Sequence, residues 1–281
     1  MSCSISFNNK KNKNENNKNE NNKNDICMTK DDIFYILEIY NNKNPKNKII
    51  YSKTESKETL WKKISDKMKK TCGEELNQKC HIKNILSPND PLGMSILQEN
   101  FKPNGPKGQN DWLSTSDINN VMYHYEKLYP NFVFIGAIPR DFFMIIDKIN
   151  TEKLRKSANK IGMVFNTDKH NQSGSHWLAV FIDMTQTPHT IEHFDSVGNP
   201  PLKLIRELLN RLKKNFKERQ NKEAVIKINR VQHQRGNNDC GVYSLHYIIE
   251  RLKGKTFEEI SKNIIRDPEM NRMRNEYFYN I

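Results

Sequence analysis

Apolar side chains are missing from residues 8–25, "NNKKNKNENNKNENNKND". They begin in earnest at Ile33, where their spacing becomes helical. In "DDIFYILEIYNN", Ile33, Phe34, Ile36, Leu37, Ile39 and Tyr40 form one broad apolar face, with Asp31 as a candidate cap. In "SKETLWKKISDKMKKTC", Leu60, Trp61, Ile64 and Met68 recur at helical intervals behind Ser56 and Glu58. "PLGMSILQEN" predicts a further short helix. Residues 26–100 therefore read as a small helical arm, and residues 1–25 as a disordered tail with nothing to bury. "KPNGPKGQND", rich in Pro, Gly and Asn, marks a linker.

From residue 101 to 281 the rhythm alternates. "STSDINNVMYHYEKLY" predicts a helix capped by Ser114 or Ser116, "VFIGAI" a strand and "RDFFMIIDKI" a helix. "HWLAVFID" and "HTIEHFDS" read as consecutive strands, and "AVIKINRV" as another by its β-branched alternation. Between them, "PLKLIRELLNRLKKNF" places Leu204, Ile205, Leu208, Leu209 and Leu212 on one helical face. "CGVYSLHYIIERL" does the same with Val242, Leu245, Ile248, Ile249 and Leu252. The pattern predicts an α+β domain behind a helical arm.

Composition narrows the class. The 281 residues are 35% hydrophobic and 28% charged. No apolar run is long enough for a membrane span, and the N-terminus lacks the apolar stretch of a secretory signal. The net charge of +13 is spread along the chain, with dense basic clusters only at "KKTCG" and "RLKKNFKER". Abundant Lys, Asn and Ile suit an AT-rich coding sequence, so the charge alone designates no specific nucleic-acid partner. Five irregularly spaced cysteines, Cys3, Cys27, Cys72, Cys80 and Cys240, predict reduced thiols rather than a disulfide framework. With no Cys-x2-Cys pair, no structural metal is expected.

The chemistry gathers in "QHQRGNNDCGVYSLHYIIERL". Cys240 stands where a polar turn becomes a helix, so the first-turn N–H groups and the positive dipole end favour its thiolate. A hairpin centred on Thr185–Gln186 would set His176 directly opposite Asp195, with Cβ atoms about 4.5–5.5 Å apart. That pairing fixes an imidazole tautomer and leaves the other ring nitrogen for the thiol. Gln234 offers an amide N–H₂ to an oxyanion, and Gly241 leaves room for an approaching carbonyl. The same residues admit a plainer reading. Cys240 could be a small buried hydrophobe, Asp195 a turn residue of "DSVGNPP", and His193 or His233 the relevant imidazole.

Three motifs, His176–Trp177 at a strand start, Asp195–Ser196 at the end of the next strand, and Gln234 to Cys240–Gly241 at a helix start, resemble the Ulp1/SENP-type SUMO proteases of the adenain-like cysteine peptidase clan. The resemblance covers roughly residues 101–281. It is fullest, in "VFNTDKHNQSGSHWLAVFIDM" and "HQRGNNDCGVYSLHYI", towards a viral polyprotein-processing branch that carries Asn where this chain has Asp195. The resemblance implies a papain-like domain with a central mixed sheet flanked by helices. It implies a cysteine endopeptidase with Cys240 as nucleophile, His176 as acid–base, Asp195 orienting it, Gln234 as oxyanion donor, and no cofactor. It further implies cleavage after Gly-Gly in structural polyproteins during virion core maturation, in the host cytoplasm and the virion. Trp177 and Trp112 would wall a passage too narrow for side chains, although "WLSTSDI" lacks the family's Asn-Asp after Trp-Leu. Alternative activities are removal of SUMO or ubiquitin from host conjugates, acyl transfer on the same scaffold, or a basic nucleic-acid-binding structural role.

Overall fold

The structure, a computed structural model, describes Cys3 and residues 26–73, 77–142 and 158–279. The chain forms two compact units, Met1–Pro103 and Asn104–Ile281. The predicted disordered tail, Cys3 excepted, and most of the helix predicted over "RDFFMIIDKI" lie outside the described residues.

The first unit contains α1 (Lys30–Lys43), α2 (Lys57–Cys72), α3 (Gln78–Ile85) and α4 (Pro91–Asn100). α1 is capped by Thr29, not Asp31. Thr29 accepts from the Asp32 amide while the Asp32 carboxylate reaches back to the Thr29 amide, a reciprocal capping box. Ile33, Ile36, Leu37, Leu60, Trp61, Ile64 and Ile82 pack into one core. The expectation of five reduced thiols is corrected. Cys3 pairs with Cys27 and Cys72 with Cys80, their Cα atoms 5.1 and 5.8 Å apart, within disulfide reach. Packing in this unit brings together thiols that their sequence spacing did not mark as partners. It also places Cys3, inside the predicted tail, at 1% exposure.

The second unit is built on a five-stranded mixed sheet in the order β1 (Phe132–Pro139), β2 (Lys160–Asn166), β3 (Trp177–Asp183), β4 (His189–Phe194), β5 (Ala224–Ile228). The β1/β2 and β4/β5 pairs are parallel, and β2/β3 and β3/β4 are antiparallel. α5 (Thr115–Leu128), opened by a Ser114–Asp117 capping box, packs on β1. One sheet face packs Ile161, Met163, Phe165, Leu178, Val180 and Ile182 against Ile205, Leu208, Leu209, Leu212 and Phe216 of α6 (Lys203–Gln220). The other face meets α7 (Cys240–Leu252). This is why β3 is buried at every position, as its unbroken apolar run requires. The chain closes with α8 (Phe257–Lys262), α9 (Asp267–Arg272) and α10 (Arg274–Tyr277).

Central burial of α7 departs from the amphipathic expectation, since all thirteen of its residues are buried. Its polar side chains have partners instead of solvent. Arg251 donates from Nε to Glu192 Oε2 at 2.7 Å and from Nη2 to Asp183 Oδ2 at 3.0 Å, and Tyr247 O–H donates to Glu192 Oε2 at 2.5 Å. α7 is thus fixed to β3 and β4 by a buried charge network as well as by apolar packing.

Candidate active site

β3 and β4 deliver the first two groups. His176 immediately precedes β3, and Asp195 immediately follows β4. His176 Nε2 and Asp195 Oδ1 are 2.8 Å apart. The register is not the one predicted. Ala179 pairs with Phe194 and Asp183 with Thr190, which displaces the ladder by two residues. A two-residue displacement keeps side chains on the same face, so imidazole and carboxylate still meet, diagonally and beyond the last ladder pair. The Asp195 side chain is 4% exposed and that of His176 20%. Asp195 also serves the turn, because its Oδ1 accepts from the Val197 amide at 2.9 Å. The orienting and turn-forming readings of Asp195 therefore coexist.

α7 delivers the third group. Cys240 is its first residue and, among the described residues, the only free cysteine. With Nε2 of His176 committed to Asp195, Nδ1 is left for the sulfur, and the imidazole is near enough to Cys240 for the two groups to interact. Burial alone would lower the His176 pKa. The hydrogen bond to Asp195 and the interaction with Cys240, with the charge of both, outweigh it and raise His176 to about 10. Burial pushes Asp195 upward, but the bond to His176 and its charge hold the carboxyl below the usual range. His176 is therefore imidazolium at neutral pH, the partner a thiolate needs.

The rival imidazoles stand elsewhere. His193 is fully buried, and neither ring nitrogen has a hydrogen-bond partner among the described residues. Burial drives its pKa down to about 4. His233 Nε2 lies 3.1 Å from the Ser261 carbonyl.

Gln234 is 2% exposed, and its amide is oriented by two neighbours. Ser196 donates its hydroxyl to Gln234 Oε1 at 2.6 Å, and Gln234 Nε2 donates one proton to the Gly236 carbonyl at 2.8 Å. An amide nitrogen carries two protons, so one remains for another acceptor. The Ser196 carbonyl also accepts from the His233 and Gln234 amides, which ties the strand carrying Asp195 to the loop carrying Gln234. Asp267 braces that loop, its Oδ2 accepting from the Arg235 and Gly236 amides at 3.0 and 2.8 Å.

Trp177 is buried, and its Nε1 donates to the Leu113 carbonyl at 2.8 Å. Trp112 is 47% exposed and donates to Asn238 Oδ1 at 3.4 Å. Trp177, the first residue of β3, is thus bonded to the segment that carries Trp112, beside the start of α7. Gly241 also makes room within the chain itself. A Cβ there would lie 3.0 Å from Leu113 Cβ and 3.1 Å from its Cδ1, so its missing side chain admits Leu113. Among the described residues, no group of three or more His, Cys, Asp or Glu side chains is placed to hold a metal ion.

The profile of the Ulp1 protease family, C-terminal catalytic domain, matches residues 130–281. The chain belongs to the Ulp1 protease family. This Ulp1-family member is a cysteine protease, and viral proteases are among its relatives. A thiol protease of Acanthamoeba polyphaga mimivirus is 31% identical over 274 residues, spanning 90% of this chain and 89% of the relative. The SUMO-1 cysteine protease of African swine fever virus is 27% identical over 199 residues, 65% of this chain and 73% of the relative. The crystal structure of the African swine fever virus protease shares the fold, with a TM-score of 0.67 at 22% identity. That match covers 100% of this chain and 96% of the other. The shared Ulp1-like fold is a mixed five-stranded sheet with flanking helices, preceded by further helices.

Proposed function

We propose that this Ulp1-family protease is a viral endopeptidase that cleaves structural polyproteins after Gly-Gly during virion core maturation, acting in the host cytoplasm and the virion. The observation that carries the catalytic part is the Asp195–His176 pair at 2.8 Å, whose imidazole also interacts with Cys240 at the head of α7. In the reaction the Cys240 thiolate adds to the scissile carbonyl carbon. One proton of Gln234 Nε2 and the first-turn amides of α7 stabilise the oxyanion. As the C–N bond breaks, His176 gives its Nδ1 proton to the leaving amine, forming a thioester. His176 then takes a proton from water, whose oxygen attacks the thioester and releases the acid. Asp195 keeps the imidazole in orientation throughout.

The Gly-Gly preference is supported by the two indoles. Trp177 is fixed to the Leu113 carbonyl, Trp112 adjoins Leu113 in sequence, and a narrow aromatic passage admits residues without side chains. Ser114 and Thr115 stand where the family has Asn-Asp, and Ser114 is spent with Asp117 on capping α5, which suits a substrate other than SUMO.

A peptide panel centred on Gly-Gly-X, run with wild type and Cys240→Ala beside SUMO and ubiquitin precursors, tests the proposal. Cleavage after Gly-Gly by the wild type alone is expected. Preferential processing of the SUMO or ubiquitin precursor would move the reading to a host-directed isopeptidase, and cleavage by Cys240→Ala would refute the nucleophile.

A further inference from the structure

Asp239 stands one residue before the sulfur, at the position from which an aspartate ordinarily caps its own helix. It does not do so here, since α7 begins with no side-chain cap. The carboxylate is held elsewhere. Its Oδ1 accepts from Nε and Nη2 of Arg274 at 3.1 and 2.9 Å, and from Nδ2 of Asn271 at 3.2 Å. Arg274 is 0% exposed. Its Nη2 also donates to the Asn238 carbonyl at 3.0 Å and its Nη1 to the Asp111 carbonyl at 2.8 Å. A planar guanidinium with its donors spread over residues 111, 238 and 239 has little freedom to let Asp239 turn.

We propose that Arg274 is a positioning residue for the protease reaction: it holds the Asp239 carboxylate away from the first turn of α7, keeping that turn's N–H groups free for the sulfur and the attacked carbonyl oxygen. The proposal rests on the assignment of Cys240 as nucleophile. A released Asp239 would accept from the amides two or three positions on, as capping aspartates do. That would consume the donors and set a negative charge beside the sulfur, where the dipole end otherwise favours the thiolate. Arg274 cancels that charge and fixes its direction, without itself touching a reacting atom.

A plain structural strut makes a different prediction, which an experiment on the full chain separates. Wild type, Arg274→Met, the double variant Arg274→Met with Asp239→Ala, and Cys240→Ala are compared in two readouts. These are the rate of Cys240 alkylation by iodoacetamide at neutral pH, located by mass spectrometry, and turnover of a Gly-Gly-X peptide. Circular dichroism supplies the folded fraction. Arg274→Met is expected to slow both rates by at least about tenfold, the loss of roughly one helix-cap and dipole contribution. Removing Asp239 as well is expected to restore most of the loss, since alanine neither caps nor carries charge. A strut predicts no recovery, because the double variant lacks both partners. Wild-type alkylation in Arg274→Met, or a double variant no faster than the single, would overturn the proposal. If Arg274→Met does not fold, the double variant is read against wild type. Alkylation within about tenfold supports the proposal, and a greater loss overturns it. Alkylation does not depend on substrate choice, so an error in the Gly-Gly reading leaves this test intact. Peptide cleavage by Cys240→Ala would instead overturn the nucleophile assignment and the proposal with it.

Discussion

Replacing Asp195 by asparagine removes one charge and keeps an oxygen that can accept from His176 Nε2. At the 2.8 Å separation of the pair, a unit charge interacts by about 1.5 kcal/mol with water-like screening and about 6 kcal/mol at an effective dielectric of about 20. One side chain is 20% exposed and the other 4%. The lower half of the range therefore applies, roughly 2–3 kcal/mol, which is about two pK units. His176 stands at about 10, and it must be protonated for the thiolate–imidazolium pair to persist. In Asp195→Asn the alkaline limb of the pH profile should therefore move down by about two pH units. It should do so both in kcat/KM on a Gly-Gly-X peptide and in alkylation of Cys240, with activity near neutrality substantially retained. Stability has a defined sign. A histidine raised above its ordinary value of 6.5 contributes fully below that value and loses the contribution as pH rises towards about 10. Wild type should lose stability between those limits, and Asp195→Asn should lose much less. Superimposable alkaline limbs for the two proteins would refute the assignment of His176 and Asp195 as a charge-coupled pair.

Gly241→Ala places a Cβ against Leu113. Denaturant unfolding should show a loss of about 1–3 kcal/mol from overpacking, and kcat/KM should fall further than stability because the Trp112–Leu113 segment is displaced; wild-type behaviour in both would contradict that packing. Ser196→Ala frees the Gln234 amide to rotate and should lower kcat by about tenfold with KM nearly unchanged, which steady-state kinetics would show. Arg251→Met strands the buried carboxylates of Glu192 and Asp183, and urea unfolding should register a loss of about 3–5 kcal/mol.

The site was legible where its signal is local. A thiol at a polar-to-apolar transition marks a helix start whatever surrounds it, and Cys240 is found there. The His176–Asp195 meeting survived a wrong register because the two-residue displacement preserved the face. The short extended run "VFIGAI" and the β-branched alternation of "AVIKINRV" also correspond to strands. β2 was missed. "KIGMVFN" is a short apolar run with Gly162 inside it, a weak strand signal by itself. The glycine is explained only by the Phe132 ring, 2.9 Å from where a Cβ would sit. The cysteine count does not decide the redox state, since an odd number also fits two pairs and one free reactive thiol. The sequence also gives no sign that Leu113 packs on Gly241. Ser196 is marked only as the neighbour of Asp195, and Asp267 and Arg274 carry no local signature at all. Each acts on a residue far along the chain, from 31 to 163 positions away, and only the folded chain shows the contact.

The parity of the β3–β4 ladder also limits how the turn between those strands can change length. Inserting or deleting one residue between Met184 and Pro188, if the slip is absorbed in the pairing, turns either the imidazole or the carboxylate to the opposite side of the sheet. Changes of two residues leave both on the shared side. Length variants of this turn that still cleave should therefore differ from the present one by even numbers of residues, although none of the altered positions lies at the site itself.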